Sequence, residues 1–264
     1  STVTGLSAGS YSVTVVDSNG CTAASSMDII TVFPDTVPIC LITVDSSSTK
    51  NFIVWEKPTP TGSDSFKVYR EIGLGNYVHI GSTPFGDLSK FTDTTLGVNP
   101  NTTSYRYKLS VLDTCGNESV PSSEHKTIHL QISQAVPTGV NLNWTDYIGF
   151  SFNQYRILRD SNGTNNWQAI DSVSFASTTY TDTNQFANAL YFVEVIHPSG
   201  CTVTKSVENH NSSRSNKTFA APPGSVDEIQ HFGEWFIVVP NPNEGKFNLK
   251  MNRPPSGAFK IQSI

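Results

Sequence analysis

The sequence predicts an all-β protein in which tandem β-sandwiches are flanked by truncated β domains. Three observations support this fold class. Short stretches alternate apolar and polar residues with the period of two that marks a half-buried strand. Clusters of Gly, Pro, Asn, Asp and Ser separate these stretches, as turns do. The middle of the chain also contains an internal repeat with an offset of about 89 residues, which is the size of one sandwich domain.

Composition narrows the classes of function. The chain has 264 residues, enough for two or three domains, and a net charge of -5, which argues against nucleic acid or an anionic membrane as partner. No apolar run approaches the ~18 residues of a membrane span. We find no Gly-x-Ser-x-Gly elbow, no Ser/His/Asp spacing and no Cys-x-x-Cys pattern. The sequence therefore predicts no enzyme, no metal site and no cofactor.

His125 and His129 are the one pair with a metal-like spacing, four residues apart. That spacing brings two side chains together only on a helix. The surrounding Thr and Ile residues predict a strand instead, in which four residues span ~13 Å. A shared metal ion is therefore not expected at this pair.

Residues 1–33 predict a β-hairpin. An apolar and polar alternation at 11–15 leads into the turn signal Asp-Ser-Asn-Gly at 17–20, and a second strand returns. The run Gly-Leu-x-x-Gly-x-Tyr-x-Val-x-Val-x-Asp-x-x-Gly-Cys, ending at Cys21, resembles the close of a repeat of the gliding-motility adhesin SprB. The resemblance implies a domain truncated at its front. Cys21 would then pair with an upstream cysteine or, in this chain, be a free thiol.

The N-terminus has no basic region followed by an apolar core, which is the pattern of an export leader. It also starts inside a strand pattern. We therefore expect the chain to be the C-terminal part of a longer protein.

Two sandwich domains are predicted at 38–132 and 133–219, each with six candidate strands. In the first domain the candidates are 39–45, 51–56, 65–71, 76–81, 104–113 and 125–132. In the second they are 139–145, 152–160, 167–173, 178–181, 190–197 and 202–207.

The repeat is carried by matched aromatic and charged positions. Trp55 corresponds to Trp144. Phe-Lys-Val-Tyr-Arg-Glu at 66–71 corresponds to Tyr-Arg-Ile-Leu-Arg-Asp at 155–160, and a later Phe-Thr-Asp-Thr corresponds to Tyr-Thr-Asp-Thr. A Trp on the second strand, an aromatic-x-Val/Ile-x-Arg third strand and a Tyr-rich late strand resemble fibronectin type III domains. The resemblance implies two sheets about 10 Å apart, bridged by inward Trp and Tyr side chains.

The end of the chain predicts a second hairpin after a linker at 220–234. Within 235–264, an apolar run stops at Pro-Asn-Pro, an Asn-Glu-Gly turn follows, and an alternating run completes the pattern. Each proline fixes φ and removes a hydrogen-bond donor, so no strand passes through 240–242. The sequence predicts a strand, a rigid corner and a second strand.

This stretch resembles the opening of the type A C-terminal sorting domain of the Bacteroidetes type nine secretion system. The positions that match the family pattern are Val239, Pro240, Asn241, Pro242, Gly245, Phe247 and Leu249. The family domain is longer, so we expect this one to be incomplete. The resemblance implies recognition by a SprA-like translocon and a PorV-like outer-membrane shuttle, and removal of the signal by a sortase-like peptidase.

The cysteines offer one candidate disulfide. Cys40 and Cys115 lie in the same predicted sandwich, and a bridge between them would close a loop of about 75 residues, worth ~4 kcal/mol in chain entropy. The alternative is that both are reduced, buried and inert. Cys201 shows no obvious partner and is predicted to be a lone thiol.

Together these features predict a non-catalytic C-terminal region of a secreted cell-surface protein, exported across the outer membrane. It would serve as a stalk and as the export signal. One alternative is an adhesin or glycan-binding module, in which exposed Trp167 and Tyr147 stack on a sugar ligand. The other is an accessory region of a secreted enzyme, which the upstream sequence would decide.

Overall fold

The structure of the protein is a computed structural model. The structure describes residues 2–57, 62–135, 138–184, 189–202, 209–219, 236–239 and 248–251. Within these ranges the protein is all-β, as predicted. The described residues contain no helix that is long and apolar enough to span a bilayer.

The strands follow one another along the chain with short connections. In the first hairpin they are β1 (Gly9–Val16) and β2 (Thr22–Ile29). In the first sandwich they are β3 (Ile39–Val44), β4 (Asn51–Trp55), β5 (Ser63–Gly73), β6 (Asn76–Pro84), β7 (Lys90–Asp93), β8 (Arg106–Asp113) and β9 (His125–Lys126). In the second they are β10 (Leu130–Gln134), β11 (Val140–Trp144), β12 (Gln154–Asp160), β13 (Gln168–Ser174), β14 (Thr179–Asp182), β15 (Leu190–Thr202), β16 (Asn209–Arg214) and β17 (Thr218–Phe219). The last two are β18 (Phe236–Val239) and β19 (Asn248–Met251).

The two sandwiches have the same strand order. In the first, a three-stranded sheet β3-β4-β7 faces a four-stranded sheet β6-β5-β8-β9. In the second, β10-β11-β14 faces β13-β12-β15-β16, and β17 adds to β15. All of these pairings are antiparallel. The sequence repeat therefore corresponds to a repeat of the fold.

Aromatic side chains fill the space between the sheets, as predicted. Trp55 is fully buried and lies 5.1 Å, ring centre to ring centre, from Phe66. In the second sandwich Trp144 lies 5.4 Å from Tyr155 in the same way. Each pair joins a strand of the three-stranded sheet to a strand of the four-stranded sheet. The large rings thus bridge the gap that separates two packed sheets.

A buried carboxylate joins the two sheets at a second point. In the first sandwich the Asp93 carboxylate, at the end of β7, accepts hydrogen bonds from Arg70 Nη1 at 2.7 Å and from the Tyr107 hydroxyl at 2.8 Å. Burial would raise the pKa of Asp93, but hydrogen bonds from Thr95, Arg70 and Tyr107 outweigh burial and lower it. The carboxylate is therefore charged and fully paired inside the sandwich.

The second sandwich repeats this arrangement. Asp182, at the end of β14, accepts hydrogen bonds from Arg159 and, at 3.0 Å, from the Tyr191 hydroxyl. We call these two sets the Asp–Arg–Tyr clusters: Asp93, Arg70 and Tyr107 in the first sandwich, and Asp182, Arg159 and Tyr191 in the second. Each cluster ties one strand of the small sheet to two strands of the large sheet.

The single strand predicted at 125–132 is wrong. The chain forms β9, which pairs with β8, leaves that sheet at 127–129, and then forms β10, which pairs with β11. Leu130 thus belongs to the second sandwich, which begins three residues earlier than predicted. All six residues from His125 to Leu130 are buried, so burial does not change where the chain changes partner. A buried run shows that side chains lie inside the fold, but it does not show which strand they pair with.

Two further strand assignments differ from the prediction. β7 was not among the candidates, although its Phe-Thr-Asp segment was recognised in the repeat. The return strand placed at 202–207 is also wrong at its start, because β15 continues through Thr202 and the described return strand is β16. The chain after β16 buries hydroxyl groups: the Ser215 Oγ accepts a hydrogen bond from the Val193 backbone at 3.0 Å. Because the residues at this edge of the sheet are polar, apolar periodicity does not predict a strand there.

Substitution of Tyr107 by Phe tests the Asp–Arg–Tyr cluster. Loss of the hydroxyl removes one donor to Asp93 and leaves Asn51 Nδ2, which donates to the same hydroxyl at 2.8 Å, without its acceptor. We expect a loss of about 1–3 kcal/mol in the free energy of unfolding, measured by urea titration. Tyr11→Phe is the control, because Tyr11 lies on the first hairpin and its exposed hydroxyl bonds only the Ser7 carbonyl among the described residues. Equal effects of the two substitutions would contradict the proposed role of the cluster.

Candidate functional site

The most extensively built feature of the described chain is the junction between the two sandwiches. We define the junction as β3 and β4 of the first sandwich together with the loop at 145–153, β15 and β16 of the second. A disulfide between Cys40 on β3 and Cys201 on β15 links the two sides, with the Cα atoms 6.0 Å apart. That separation lies within the usual range for a disulfide.

The predicted Cys40–Cys115 bridge is wrong, and so is the prediction that Cys201 is a lone thiol. Cys115 is an exposed free cysteine in the turn after β8, where its backbone N–H donates to the Asp113 carboxylate at 2.9 Å. Cys21 is likewise exposed and free. The pairing was inferred within one domain, whereas the observed partner lies in the other domain.

Gly200 is the residue in the sequence that could have indicated where Cys201 lies. Its φ of +73° lies in the left-handed region, which glycine adopts without the steric cost of a Cβ. The register of β15 against β16 shifts between Ile196 and Cys201, so the strand bends there and continues. The bend carries Cys201 beyond the predicted end of the strand, to β3 of the first sandwich.

Apolar side chains surround the disulfide. Leu41, Val54 and Cys201 form a buried cluster, against which Leu88 and Phe150 pack. The larger core cluster is also continuous across the junction, since it contains buried residues of both sandwiches. The two sandwiches therefore share buried apolar surface in addition to their covalent link.

An aromatic series leads from the disulfide into the second sandwich. Phe150 lies 4.4 Å from the His197 ring and 4.8 Å from Tyr147, and Phe152 continues the contacts to Tyr155 at 4.9 Å. Tyr147 is buried, with 6% of its surface exposed, and this burial raises the pKa of its hydroxyl.

Neither of the predicted glycan-stacking residues presents a free ring face. The prediction that Tyr147 is exposed is wrong, because the ring belongs to the junction. Trp167 is half-buried and packs 4.6 Å from Phe192, while Lys217 Nζ lies 5.1 Å from its ring centre. Phe192 and Lys217 thus cover part of the Trp167 ring.

Backbone hydrogen bonds fix how the two sandwiches are oriented. The Arg214 N–H donates to Thr43 Oγ1 at 2.9 Å, and the Lys217 N–H donates to Ser48 Oγ at 2.7 Å. On the other side, the Lys126 N–H of β9 donates to the Ile148 carbonyl at 2.8 Å. Because these contacts are directional and separated along the chain, they oppose rotation about the disulfide.

The histidines of this region have separate partners. His125 Nδ1 lies 3.5 Å from the Tyr147 hydroxyl, and His129 Nε2 lies 3.0 Å from the Asn101 carbonyl. His197 Nε2 lies 3.8 Å from Cys40 Sγ, and the donor atoms of Cys40, His197 and Cys201 are all within 4.8 Å of one another. Since the two sulfur atoms are bonded to each other, they offer no thiolate to a metal ion.

Burial at the junction, and after it the nearby His197, lowers the pKa of His125 to about 4. Burial also lowers the pKa of His197, while Glu56 opposes that effect. Both imidazoles are therefore neutral near pH 7.

The predicted sorting-signal residues fall on and around the last hairpin. Val239 ends β18 and Leu249 lies in β19, and these strands pair antiparallel with Val239 opposite Asn248. The two predicted strands are confirmed, and the rigid corner predicted between them lies outside the described residues. Pro240, Asn241, Pro242, Gly245 and Phe247 lie outside the described residues. Among the described strands, β18 and β19 form a two-stranded sheet of their own.

A cleft of about 800 Å³ lies between the segment after β2 and the first sandwich. Its lining includes Leu6, Phe33, Gly62 and the turn that carries Asp113 and Cys115. The Asp113 carboxylate is occupied by the backbone N–H groups of its own turn. Asp113 is therefore already engaged by its own turn, and it offers no free carboxylate to a ligand in this cleft.

Comparison with known proteins concerns the fold. No protein-family model matches the chain, and no curated protein sequence matches it. Among solved structures it is similar to the FN1–FN3 domains of chicken CNTN1, with 12% identity, a TM-score of 0.31, and coverage of 79% of this chain and 75% of that chain. It is also similar to a segment of two fibronectin type III domains from chicken tenascin, with 14% identity, a TM-score of 0.26, and coverage of 70% and 97%.

The fold class follows from the sheets themselves: the described residues are all-β, with two antiparallel sandwiches of the same strand order in tandem. The particular arrangement here is a pair of sandwiches fixed to each other by a disulfide and a packed junction.

Removal of the disulfide is expected to destabilise the pair. The bond joins residues 161 apart in sequence, so its loss restores a large loop entropy to the unfolded chain, worth ~5 kcal/mol in the chain-entropy model. Cys40→Ser and Cys201→Ser should each lower the midpoint of urea unfolding strongly. Cys115→Ser is the matched control and should leave the midpoint unchanged. Peptide mapping under non-reducing conditions should recover the Cys40–Cys201 pair; recovery of Cys40 with Cys115 would refute the assignment.

The junction should also weaken in acid because of His125. An unfolded histidine binds a proton near pH 6.5, whereas folded His125 does so only near pH 4. Because folded His125 resists protonation, its contribution to the free energy of unfolding is fully present above pH 6.5. About 3 kcal/mol of this free energy is lost as the pH falls towards 4. His125→Gln should flatten the dependence of unfolding free energy on pH in that window. His79→Gln, at an exposed site on β6, should not; identical slopes for both variants would disprove this account.

Proposed function

We propose that the chain is the non-catalytic C-terminal region of a secreted cell-surface protein. In this proposal the two sandwiches form a rigid stalk, and the last hairpin is the export signal of the type nine secretion system. The single observation that supports a rigid stalk is the junction, where a disulfide fixes one sandwich to the other.

The junction suits a spacer for a mechanical reason. Tandem domains joined by one linker pivot about it, because contacts between neighbouring domains in a chain are ordinarily small. Here the chain at 127–129 and the Cys40–Cys201 bond form two separate connections, and buried side chains fill the space between them. A head attached upstream would be held at a defined distance and orientation from whatever follows.

The disulfide also supports export. Disulfides form and persist in oxidising compartments such as the periplasm and the cell surface, and they are rare in the reducing cytosol. The Cys40–Cys201 bond joins strands of two domains, and its formation needs an oxidant that the cytosol does not supply. We infer that the pair completes its folding after it has left the cytoplasm.

The last hairpin has properties that a recognition signal needs. A two-stranded hairpin is marginally stable by itself and has two edges that can accept a further strand. β18 and β19 are such a pair among the described strands. The proposed partners are a SprA-like translocon and a PorV-like shuttle, which would bind the signal by strand addition, and a sortase-like peptidase that removes it.

The alternative of a glycan-binding adhesin has less support than the stalk. It relied on exposed ring faces at Tyr147 and Trp167, and Tyr147 is buried while Trp167 is covered by Phe192 and Lys217. No described contact favours the other alternative, an accessory region of an enzyme, over the stalk.

Substitutions in the last hairpin test the export signal. Pro240→Ala would relax the rigid corner, and Gly245→Ala would remove the residue that tolerates φ > 0 in the turn. In a Bacteroidetes host that has the secretion system, we expect each variant of the full-length protein to reach the cell surface at least about tenfold less, as measured by surface immunoblotting and by accumulation inside the cell.

Gly73→Ala is the matched control for this experiment. Gly73 lies on β5, where an added Cβ meets no described atom within 4 Å and φ is not in the left-handed region. This variant should be exported normally. Normal export of both Pro240→Ala and Gly245→Ala would refute the proposed signal.

A further inference from the structure

The position of the disulfide within the chain has a consequence beyond stability. Cys40 is the second residue of the first strand of the first sandwich, and Cys201 is the last residue but one of β15 in the second. The bond therefore closes a covalent loop that contains β4 through β14, the rest of β3 and nearly all of β15. Almost the whole of both sandwiches lies between two bonded sulfur atoms.

Tension applied at the two ends of a chain passes along the shortest covalent path. In this protein that path enters at Cys40, crosses the sulfur–sulfur bond and leaves at Cys201. The 161-residue separation between the two cysteines is bypassed. Contacts between two residues of the loop then lie off the loaded covalent path, whereas contacts between the loop and the two flanking segments can still be loaded.

We propose that the Cys40–Cys201 disulfide is a force bypass, which carries tensile load past both sandwiches so that they stay folded while the chain is pulled. The physiological role of this device rests on the proposed function as a stalk between a head and the cell surface. The mechanical property itself follows from where the bond lies, and it can be measured on the isolated protein.

The segment before the disulfide remains on the loaded path, and it is held by burial. Val37 and Ile39 are buried, and Ile39 pairs with Trp55 of β4. Only a few residues separate this anchor from Cys40, so little chain can be drawn out on this side.

The segment after the disulfide is held by contacts to both sandwiches. β16 runs back along β15, with Cys201 opposite His210 and Glu194 opposite Arg214, so a pull on its far end shears the paired strands. Beyond β16, the Asn216 side chain accepts from the Leu130 N–H at 2.7 Å and donates to the Leu130 carbonyl at 3.0 Å. Shear loads these hydrogen bonds together, whereas peeling would load them one at a time.

Reduction of the disulfide switches the bypass off. A dithiol such as dithiothreitol supplies two electrons and two protons; the sulfur–sulfur bond breaks, two thiols form, and the reductant becomes a cyclic disulfide. Load then passes through the residues of the former loop. Their fully extended length is about 530–580 Å, from ~3.3–3.6 Å for each of 161 residues.

Single-molecule stretching of the full chain in optical tweezers, with handles at the two termini, tests the proposal. In the oxidised protein we expect the contour length at full extension to exclude the residues between Cys40 and Cys201, because the disulfide closes them into a loop. In dithiothreitol we expect a further release of about 530–580 Å. The Cys40→Ser/Cys201→Ser double variant should behave as the reduced protein does, without reductant.

Cys115→Ser is the control, since it removes an exposed free cysteine and keeps the bond. It should match the oxidised protein before reduction and the reduced protein after it. If the double variant does not fold, the comparison of oxidised and reduced wild-type protein gives the same difference in length.

Equal contour lengths for the oxidised and reduced protein would overturn the force bypass. That outcome is distinguishable from failure of the proposed function. The export experiment uses variants in which the disulfide is intact, and the stretching experiment requires no secretion machinery.

Discussion

The covalent and packed junction between the two sandwiches is the constraint on which the rest of the account depends. Two sandwiches of this kind would each fold around their own aromatic core, and the chain at 127–129 alone would let them pivot. The Cys40–Cys201 bond closes a second connection, and Leu41, Val54 and Phe150 exclude water around it. The mutual orientation of the domains thereby becomes part of the fold, as the proposed stalk requires.

Within each sandwich, the constraint that holds the two sheets together has an apolar and a polar part. The pairs of tryptophan with another aromatic residue bury apolar surface between the sheets. The Asp–Arg–Tyr clusters add directional hydrogen bonds, and a carboxylate with two fixed donors tolerates little sliding of one sheet over the other. Both parts recur in both sandwiches. This recurrence explains why the sequence repeat is clearest at Trp55, at Arg70 and at Asp93, and is weak at the exposed positions between them.

The sequence allowed the local features to be predicted and left the relation between domains open. Inward-facing Trp55 and Trp144 followed from the resemblance to fibronectin type III domains, in which large side chains bridge the two sheets. The partner of Cys40 did not follow, because it depends on how one sandwich sits on the other and on a bend at Gly200. Tyr147 was predicted to be exposed because it lies in a loop; it is buried by Phe150 and Phe152 of the same loop together with His125 of the other sandwich.

The most direct test of the central claim is the alignment of the two sandwiches in solution. Residual dipolar couplings of the backbone N–H groups, measured on the oxidised protein in a weakly aligning medium, report the orientation of each domain independently. The account predicts that one alignment tensor, of one magnitude and direction, fits the couplings of β3–β9 and of β10–β17 together in the geometry described here. Two tensors of different magnitude or direction would show that the sandwiches move separately, and would contradict it.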